Sequence, residues 1–417
     1  MSEFIINGGR RLSGELTVQG AKNSVLPLLA ATYLCNSECV LHICPRLLDV
    51  DASIEILEHL GALVKREGNS LIIDSSGCCG NDIPEELMLK MRSSIVFLGA
   101  ILAKCQRASM SLPGGCELGS RPIDIHLGAL RQMGVYIECV AGRLICSAPE
   151  GLKGSTIHFS FPSVGATENV ILAASVAKGT TMIFNAAREP EICDLANFLN
   201  LCGANIKGAG TSTVIIDGVD RLYGCEHSVM SDRIVAATYL FSAAINTSNI
   251  RLNGGAAEQI FPFIDILQRC GCDVKAAERS VSLRSHNALN NFDVVSSGPY
   301  PGFPTDAGPA LVSASCLFKG TGVFVENIFD SRFRYVDELK RLGADIKVVG
   351  RAAIITGVKA LTGANVTAHD LRGGAALMAA AVAARGRSVV RDDGFIDRGY
   401  ENIEGVFRTL GADVERK

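Results

Sequence analysis

The chain has 417 residues, 48% hydrophobic and 20% charged, with a net charge of −3. That length sets a prior of two or three domains at about 150 residues each. The near-neutral balance excludes the basic footprint of a general nucleic-acid binder, and the ordinary apolar fraction excludes a disordered tail protein.

In chain order, the first segment, FIINGGRRLSGELTVQG from Phe4, carries two short strand patterns separated by turn residues. SVLPLLAATYL (24–34) then predicts a helix that is apolar nearly all round, hence buried. DASIEILEHL (51–60) predicts an amphipathic surface helix, and LGALV follows at Leu60. The same order returns along the chain. Apolar, Ala-rich helices are expected at RSSIVFLGAILA (92–103), ENVILAASVA (168–177), RIVAATYLFSAA (233–244), ALVSASCLF (310–318) and GAALMAAAVAA (374–384). A phrase like LGALV recurs with Gly at 61, 134, 203, 271, 343 and 411. Each Gly is placed just past a surface helix, where a left-handed backbone carries no Cβ penalty. The spacing gives six units of about 70 residues, a period that marks a repeat architecture.

Residues 354–370, IITGVKALTGANVTAHD, match the pattern of the N-terminus, whereas the sixth unit stops at Lys417 without such a segment. The first 21 residues are therefore expected to complete the last unit. The predicted fold is α/β: a two-domain inside-out α/β barrel, three units per domain, with the Ala-rich helices inside. The domains are expected at 22–230 and at 1–21 plus 231–417, with the active site in the cleft between them.

The longest strongly apolar runs, Ile95–Ala103 and Ala375–Ala384, fall short of the ~20 residues a membrane span needs. No cationic start precedes an apolar core at the N-terminus, so no signal peptide is expected. Fifteen cysteines, an odd number, read as reduced thiols in a cytoplasm. Cys35/Cys39, Cys78/Cys79 and Cys270/Cys272 lack the second half of a zinc site, and there is no HExxH, Walker loop or dinucleotide fingerprint. Neither metal nor cofactor is expected.

The residues leading into the buried helices are Lys22-Asn23-Ser24, Arg92-Ser93-Ser94, Gly165-Ala166-Thr167, Asp232-Arg233, Asp306-Ala307-Gly308-Pro309 and Arg372-Gly373-Gly374. Helix N-termini suit anions, and four of these carry a cation, which favours small polyanionic substrates. The same residue types serve ordinary capping, so at any single position both readings stand. In SLPGGCELGSRPIDI (111–125), Cys116 lies in a polar Gly-rich loop near Arg121, where cations favour a reactive thiolate. An incidental loop thiol is the plain alternative. His126 reads as a hydrogen-bonded structural residue rather than a catalytic one.

The strings GAKNSVLPLL (20–29), LPGGCELGSRPIDIH (112–126), PSVGATEN (162–169), AAREPEI (186–192), FPTDAG (303–308), DLRGGAAL (370–377) and DRGYENIE (397–404) resemble the UDP-N-acetylglucosamine 1-carboxyvinyltransferase family along the whole chain. The resemblance implies the inside-out barrel. It also implies transfer of the enolpyruvyl group of phosphoenolpyruvate to the 3-hydroxyl of UDP-N-acetylglucosamine, with loss of phosphate, at the first committed step of peptidoglycan synthesis. By the same resemblance, Lys22, Arg121 and Arg398 hold phosphoenolpyruvate. Asn23 and Arg92 belong to the nucleotide-sugar site, with Asn23 touching both substrates. Arg121, Pro122, Ile123, Asp124 and Ile125 cradle the uridine, and Ser163, Val164 and Gly165 line the diphosphate. Ile328 contacts the sugar nucleotide, and Arg332 and Arg372 are further cleft arginines. Cys116 is the implied proton donor, able to trap phosphoenolpyruvate or fosfomycin covalently, and Asp306 the implied base. None of these roles calls for a metal, a nucleic acid, a membrane or an obligate protein partner.

Two positions depart from other members: Phe161 stands where some have Lys, and Ala307–Ala310 replaces a Gln-rich stretch. The sister family acting on shikimate 3-phosphate has Ser where this chain has Asn23, and Asn-Ala-Gly-Thr where it has Gly-Gly-Cys. A non-catalytic repeat scaffold would have no reason to hold Lys22, Cys116, Asp306 and Arg398 together.

Overall fold

A computed structural model describes residues 2–112, 123–255, 257–286 and 289–417. They divide into two compact units, one running from Gly20 to Met230 and the other comprising Ser231–Lys417 with the N-terminal residues through Gln19. Gly20 and Ala21 thus go with the first unit. The Ala21 N–H donates to the Met230 carbonyl at 2.7 Å, and Gly20 lies so close to Ile43 that an added Cβ would meet its carbonyl oxygen at 2.2 Å.

Each unit is built from three four-stranded sheets. In every sheet one outer strand is parallel to its neighbour and the remaining pairs are antiparallel. The parallel strand comes from the preceding repeat, so each repeat is stitched to the next. In the first unit Glu226–Ser228, from the end of the third repeat, pairs with Cys39–His42 of the first and closes the set.

Inside lie the apolar helices. In the first unit they are Lys22–Thr32, Phe97–Cys105 and Val164–Ala174; in the second, Arg233–Ile245, Gly308–Ser315 and Leu371–Ala383. Residues Arg372 to Val382 are all buried, as an all-round apolar helix requires. Two helices begin with a tighter turn than the sequence pattern implies: Arg92–Val96 and Thr305–Ala307 are 3₁₀ segments. Small residues set the helix spacing. A Cβ on Gly99 would meet the Asn169 carbonyl oxygen at 2.3 Å, so nothing larger fits there. Among the described residues no helix is long and apolar enough to cross a membrane.

The six recurring glycines end the outer helices, with φ between +91° at Gly343 and +102° at Gly203 and Gly271. At Gly343 the N–H donates to the Lys340 carbonyl at 2.9 Å, and the Ala344 N–H reaches back to Leu339 at 3.2 Å. This paired closure satisfies two carbonyls the helix leaves open.

The last repeat supplies only two strands of its own sheet, Arg387–Asp392 and Asp413–Arg416. Ser2–Asn7 lies between them, antiparallel to both, with Phe4 opposite Val390 and Arg416. Its alternation buries Phe4 and Ile6 completely. Ser13–Thr17 then runs parallel to Asn249–Asn253 and completes a second sheet of the same unit. A chain beginning at Gly20 leaves both sheets with unpaired backbone groups, which is costly in a buried setting. Its 231–417 unit is expected to lose cooperative unfolding in calorimetry. Phe4→Ala is the milder test and should cost about 3–5 kcal/mol. A truncated protein melting like the full chain would show that these strands are dispensable.

Candidate active site

In the 231–417 unit, Asp306 sits in the 3₁₀ turn entering the Gly308–Ser315 helix. Its carboxylate is shared by two guanidinium groups: Arg332 Nη2 donates to Oδ1 at 2.9 Å, and Arg372 Nη2 to Oδ2 at 3.4 Å. Both arginines are almost completely buried, while the Asp306 side chain keeps 28% of its surface open. Arg332 Nη2 also donates to the Thr305 carbonyl at 3.1 Å. Arg372 stacks over the Tyr400 ring at 5.5 Å, and the Tyr400 hydroxyl is bonded to Thr238 at 2.8 Å.

These guanidinium groups retain unused donors. Arg332 Nε and Arg372 Nε and Nη1 are buried without a hydrogen-bond partner. A buried, unsatisfied charged donor is expensive, and a carboxylate or phosphate with several oxygens is the group that relieves it. The turn around Asp306 has little freedom. A Cβ on Gly308 would meet Phe324 Cζ at 2.7 Å, and Ala307 and Ala310 are buried. The Ala307–Ala310 stretch is therefore packed core.

Sequence reasoning missed Glu326, which organises this side of the site. It is 1% exposed and uses both oxygens. Oε1 accepts from Ser297 Oγ at 2.8 Å and from the N–H groups of Ile328 and Phe329 at 2.7 and 3.1 Å. Oε2 accepts from Thr305 Oγ1 at 2.7 Å. One carboxylate thus ties the loop bearing Ile328 to the turn bearing Asp306. Asp392 occupies the matching place in the next repeat, accepting from Phe395 and Ile396 N–H at the loop leading to Arg398. The signal was available: KGTGVFVEN and RGRSVVRDD both carry an acid at the next-to-last position, where strand alternation buries the side chain. Gln19, from the N-terminal segment, holds the far side of that loop, donating to the Gly399 carbonyl and accepting from the Glu401 N–H.

In the 20–230 unit, Lys22 opens its helix with Nζ 2.7 Å from Asp49 Oδ2, and Asn23 follows it, partly buried. Asp49 belongs to the outer helix Leu48–His59 and was not singled out in the sequence. Ser24, the next residue, donates to Asp194 Oδ2 at 2.5 Å, and Asp194 Oδ1 is 2.9 Å from His227 Nε2.

Arg92, Asp124 and Gly165 converge on His126. The imidazole Nδ1 is 2.9 Å from Asn169 Nδ2, whose side chain also binds the Gly99 N–H and the Ile95 carbonyl. Asn169 donates there, so the ring proton sits on Nε2, near Gly165. A Cβ on Gly165 would lie 3.0 Å from His126 Cε1. Ser163 caps its helix by accepting from the Ala166 N–H, and Val164 opens it. Ile123 and Ile125 are half-buried at the start of Asp124–Gln132, with Asp124 exposed. Phe161 is 44% exposed. Asp232 and Asp370 cap their helices just as Ser163 does, so at three of the six inner helices capping by the chain's own side chain is part of the answer. Cys116, Arg121 and Pro122 lie outside the described residues.

Burial pulls the His126 imidazole down from 6.5 to about 4; Asp124 opposes this and Arg92 adds to it. The folded protein therefore resists a proton that the unfolded chain accepts. Stability should fall as pH drops below the ordinary histidine value and level off below about 4, a loss on the order of 3 kcal/mol. Urea unfolding of wild type and His126→Gln at neutral and acid pH checks this. The variant's curve should be flatter, and an equal acid loss in both proteins would exonerate His126.

The family profile described as EPSP synthase (3-phosphoshikimate 1-carboxyvinyltransferase) matches residues 6–407. The chain is 48% identical, over all of both sequences, to UDP-N-acetylglucosamine 1-carboxyvinyltransferase 2 of Caldanaerobacter subterraneus subsp. tengcongensis. It is 41% identical to UDP-N-acetylglucosamine 1-carboxyvinyltransferase 1 of Staphylococcus aureus, across 100% of this chain and 99% of that one. The crystal structure of the enolpyruvyl transferase NikO from Streptomyces tendae superposes with a TM-score of 0.89 at 23% identity, covering 100% of this chain and 99% of that one. EPSP synthase from Acinetobacter baumannii superposes at 0.78 with 19% identity and full coverage of both chains. These two carry the fold: the two-domain α/β architecture of enolpyruvyl transferases. Matched from end to end in sequence and in fold, the chain belongs to the EPSP synthase family, and within it to the UDP-N-acetylglucosamine 1-carboxyvinyltransferases.

Proposed function

We propose that the chain transfers the enolpyruvyl group of phosphoenolpyruvate to the 3-hydroxyl of UDP-N-acetylglucosamine, releasing phosphate, in the cytoplasm and without an obligate protein partner. This is the first committed step of peptidoglycan synthesis. The observation that carries the reading is Asp306, a carboxylate gripped by two buried guanidinium groups that still have donors to give. A base beside cations with spare N–H groups suits a hydroxyl nucleophile and an anionic partner.

Both units contribute to one reaction in this reading. Lys22, Arg121 and Arg398 hold phosphoenolpyruvate. Asn23, Arg92, the Arg121–Ile125 segment, Ser163, Val164, Gly165 and Ile328 hold the nucleotide sugar. Arg332 and Arg372 stabilise charge on the reacting groups and fix Asp306 in place. Cys116 delivers a proton to the methylene carbon of phosphoenolpyruvate while the sugar hydroxyl adds to its neighbour, and Asp306 takes the hydroxyl proton. A tetrahedral ketal results. Loss of a methyl proton and departure of phosphate restore the double bond, now as an enol ether on the sugar. The Cys116 thiol can also add to phosphoenolpyruvate itself.

Phosphate release from phosphoenolpyruvate should require UDP-N-acetylglucosamine and fail with shikimate 3-phosphate. The opposite preference would assign the chain to the sister activity. Asp306→Asn should lower kcat by about 10² or more. A near wild-type rate would move the base elsewhere.

Cys116 gives an independent test. Fosfomycin, an epoxide phosphonate drawn to the same cations, should label Cys116 alone among the fifteen cysteines, faster with UDP-N-acetylglucosamine present. Cys116→Asp keeps an acidic proton and should stay active yet escape labelling, whereas Cys116→Ser should lose most turnover. Peptide mass spectra showing another labelled cysteine, or full activity in the Ser variant, would refute the assignment.

A further inference from the structure

The fourteen described cysteines are free, and four of them meet at one place in the 20–230 unit. Cys35 follows the first inner helix, and Cys39 opens the Cys39–His42 strand. Cys202 caps the outer helix Pro190–Leu201, and Cys225 precedes the Glu226–Ser228 strand. Cys202 Sγ is 3.7 Å from Cys35 Sγ and 3.4 Å from Cys225 Sγ. Cys39 is near enough to Cys35 and Cys202 for its thiol to be affected electrostatically by both. The group is not arranged to hold a metal ion; no such cluster exists among the described residues.

Within the group, Cys202 and Cys225 stand apart. Their sulfurs are 3.4 Å apart, and the backbone already brings them together: the Tyr223 N–H donates to the Cys202 carbonyl at 2.9 Å. Cys202 is 1% exposed, as is typical of a core thiol, whereas Cys225 is only half-buried. Burial pushes the Cys225 thiol up while its contact with Cys202 pulls it back, and a half-buried thiol with a buried partner 3.4 Å away is placed as an attacked and a resolving cysteine are.

The location ties the pair to the site. Cys225 is two residues from His227, whose Nε2 bonds Asp194 Oδ1; Asp194 Oδ2 accepts from Ser24, which follows Lys22 and Asn23. We propose that Cys202 and Cys225 form a reversible disulfide under peroxide, and that its closure strains the His227–Asp194–Ser24 tie beneath Lys22 and Asn23. The Cys225 thiolate attacks a peroxide oxygen, the O–O bond breaks, and a sulfenic acid forms with release of water. The Cys202 sulfur attacks that sulfenic sulfur, the S–O bond breaks, and a second water leaves. Two thiols lose two electrons and two protons, and hydrogen peroxide is reduced to two waters.

The test uses full-length protein treated with hydrogen peroxide, alkylated and digested for peptide mass spectrometry. The Cys202 and Cys225 peptides should appear joined, lighter by two hydrogens, and should separate on treatment with dithiothreitol. In Cys202→Ser, Cys225 should instead be trapped as a dimedone adduct. Amide hydrogen exchange around Ser24 should rise in the oxidised protein and return on reduction. Cys79 and Cys139, both exposed, serve as internal controls. Oxidation of those two with Cys202 and Cys225 still alkylated, or a Cys35–Cys202 pairing instead, would overturn the disulfide. A disulfide with unchanged exchange around Ser24 would overturn its link to the site. None of these readouts depends on catalytic activity, so the outcome is separate from that of the transfer assay.

Discussion

The pairing of Ser2–Asn7 between Arg387–Asp392 and Asp413–Arg416 is the interaction on which the 231–417 unit depends. A repeat fold of this kind buries each inner helix only if every sheet over it is complete. The chain solves the problem of its own ends by splitting one repeat across them. The consequence reaches the loop that carries Arg398, a residue of the proposed site. Asp392 ends one partner strand and caps the loop carrying Arg398, while Arg416, at the end of the other, pairs with Asp397 and lies over the Phe4 ring at 4.9 Å. Gln19 holds Gly399 and Glu401 from the far side. The segments that close the fold therefore also hold the loop that carries Arg398.

Much of this was legible in the sequence because it is periodic or local. The glycine at the end of each outer helix is forced by backbone sterics, and sterics repeat with the structure. The inner helices announced themselves through apolar residues on every face. The missing strand was visible as a count, a segment present at the front and absent at the back. What was not legible are pairings between distant positions. Lys22 meets Asp49, His126 meets Asn169, and Glu326 meets Thr305 and Ser297. No spacing rule connects such residues, since their proximity follows from sheet order and helix packing. The cysteine group is the clearest case. Cys35 and Cys39 look incomplete as a local motif, and the residues that join them lie in another repeat. The tight turns at Arg92 and Thr305 also escaped, because 3₁₀ and α starts share the same residue preferences.

The electrostatics refine the simplest reading of the helix starts. A helix N-terminus offers partial charge, but Ser163, Asp232 and Asp370 already occupy three of the six with their own oxygens. Side-chain cations matter more, and they are not left bare. Lys22, 12% exposed, faces Asp49, and Arg332 and Arg372 face Asp306. Each cation is held in place by a carboxylate, which lowers the cost of burying it before substrate arrives.

In the proposed reaction, that arrangement suits Asp306 to the role of base rather than of counter-ion alone. A counter-ion is most effective when it satisfies every donor it faces, yet three guanidinium N–H groups around Asp306 remain unsatisfied. The aspartate is partly exposed, so its oxygens stay within reach of a hydroxyl. Asp370 fixes the backbone of Arg372 by accepting from its N–H at 3.0 Å, and Glu326 fixes the turn of Asp306 through Thr305. The donors are therefore immobile and incompletely used, as preorganised stabilisation of developing negative charge requires.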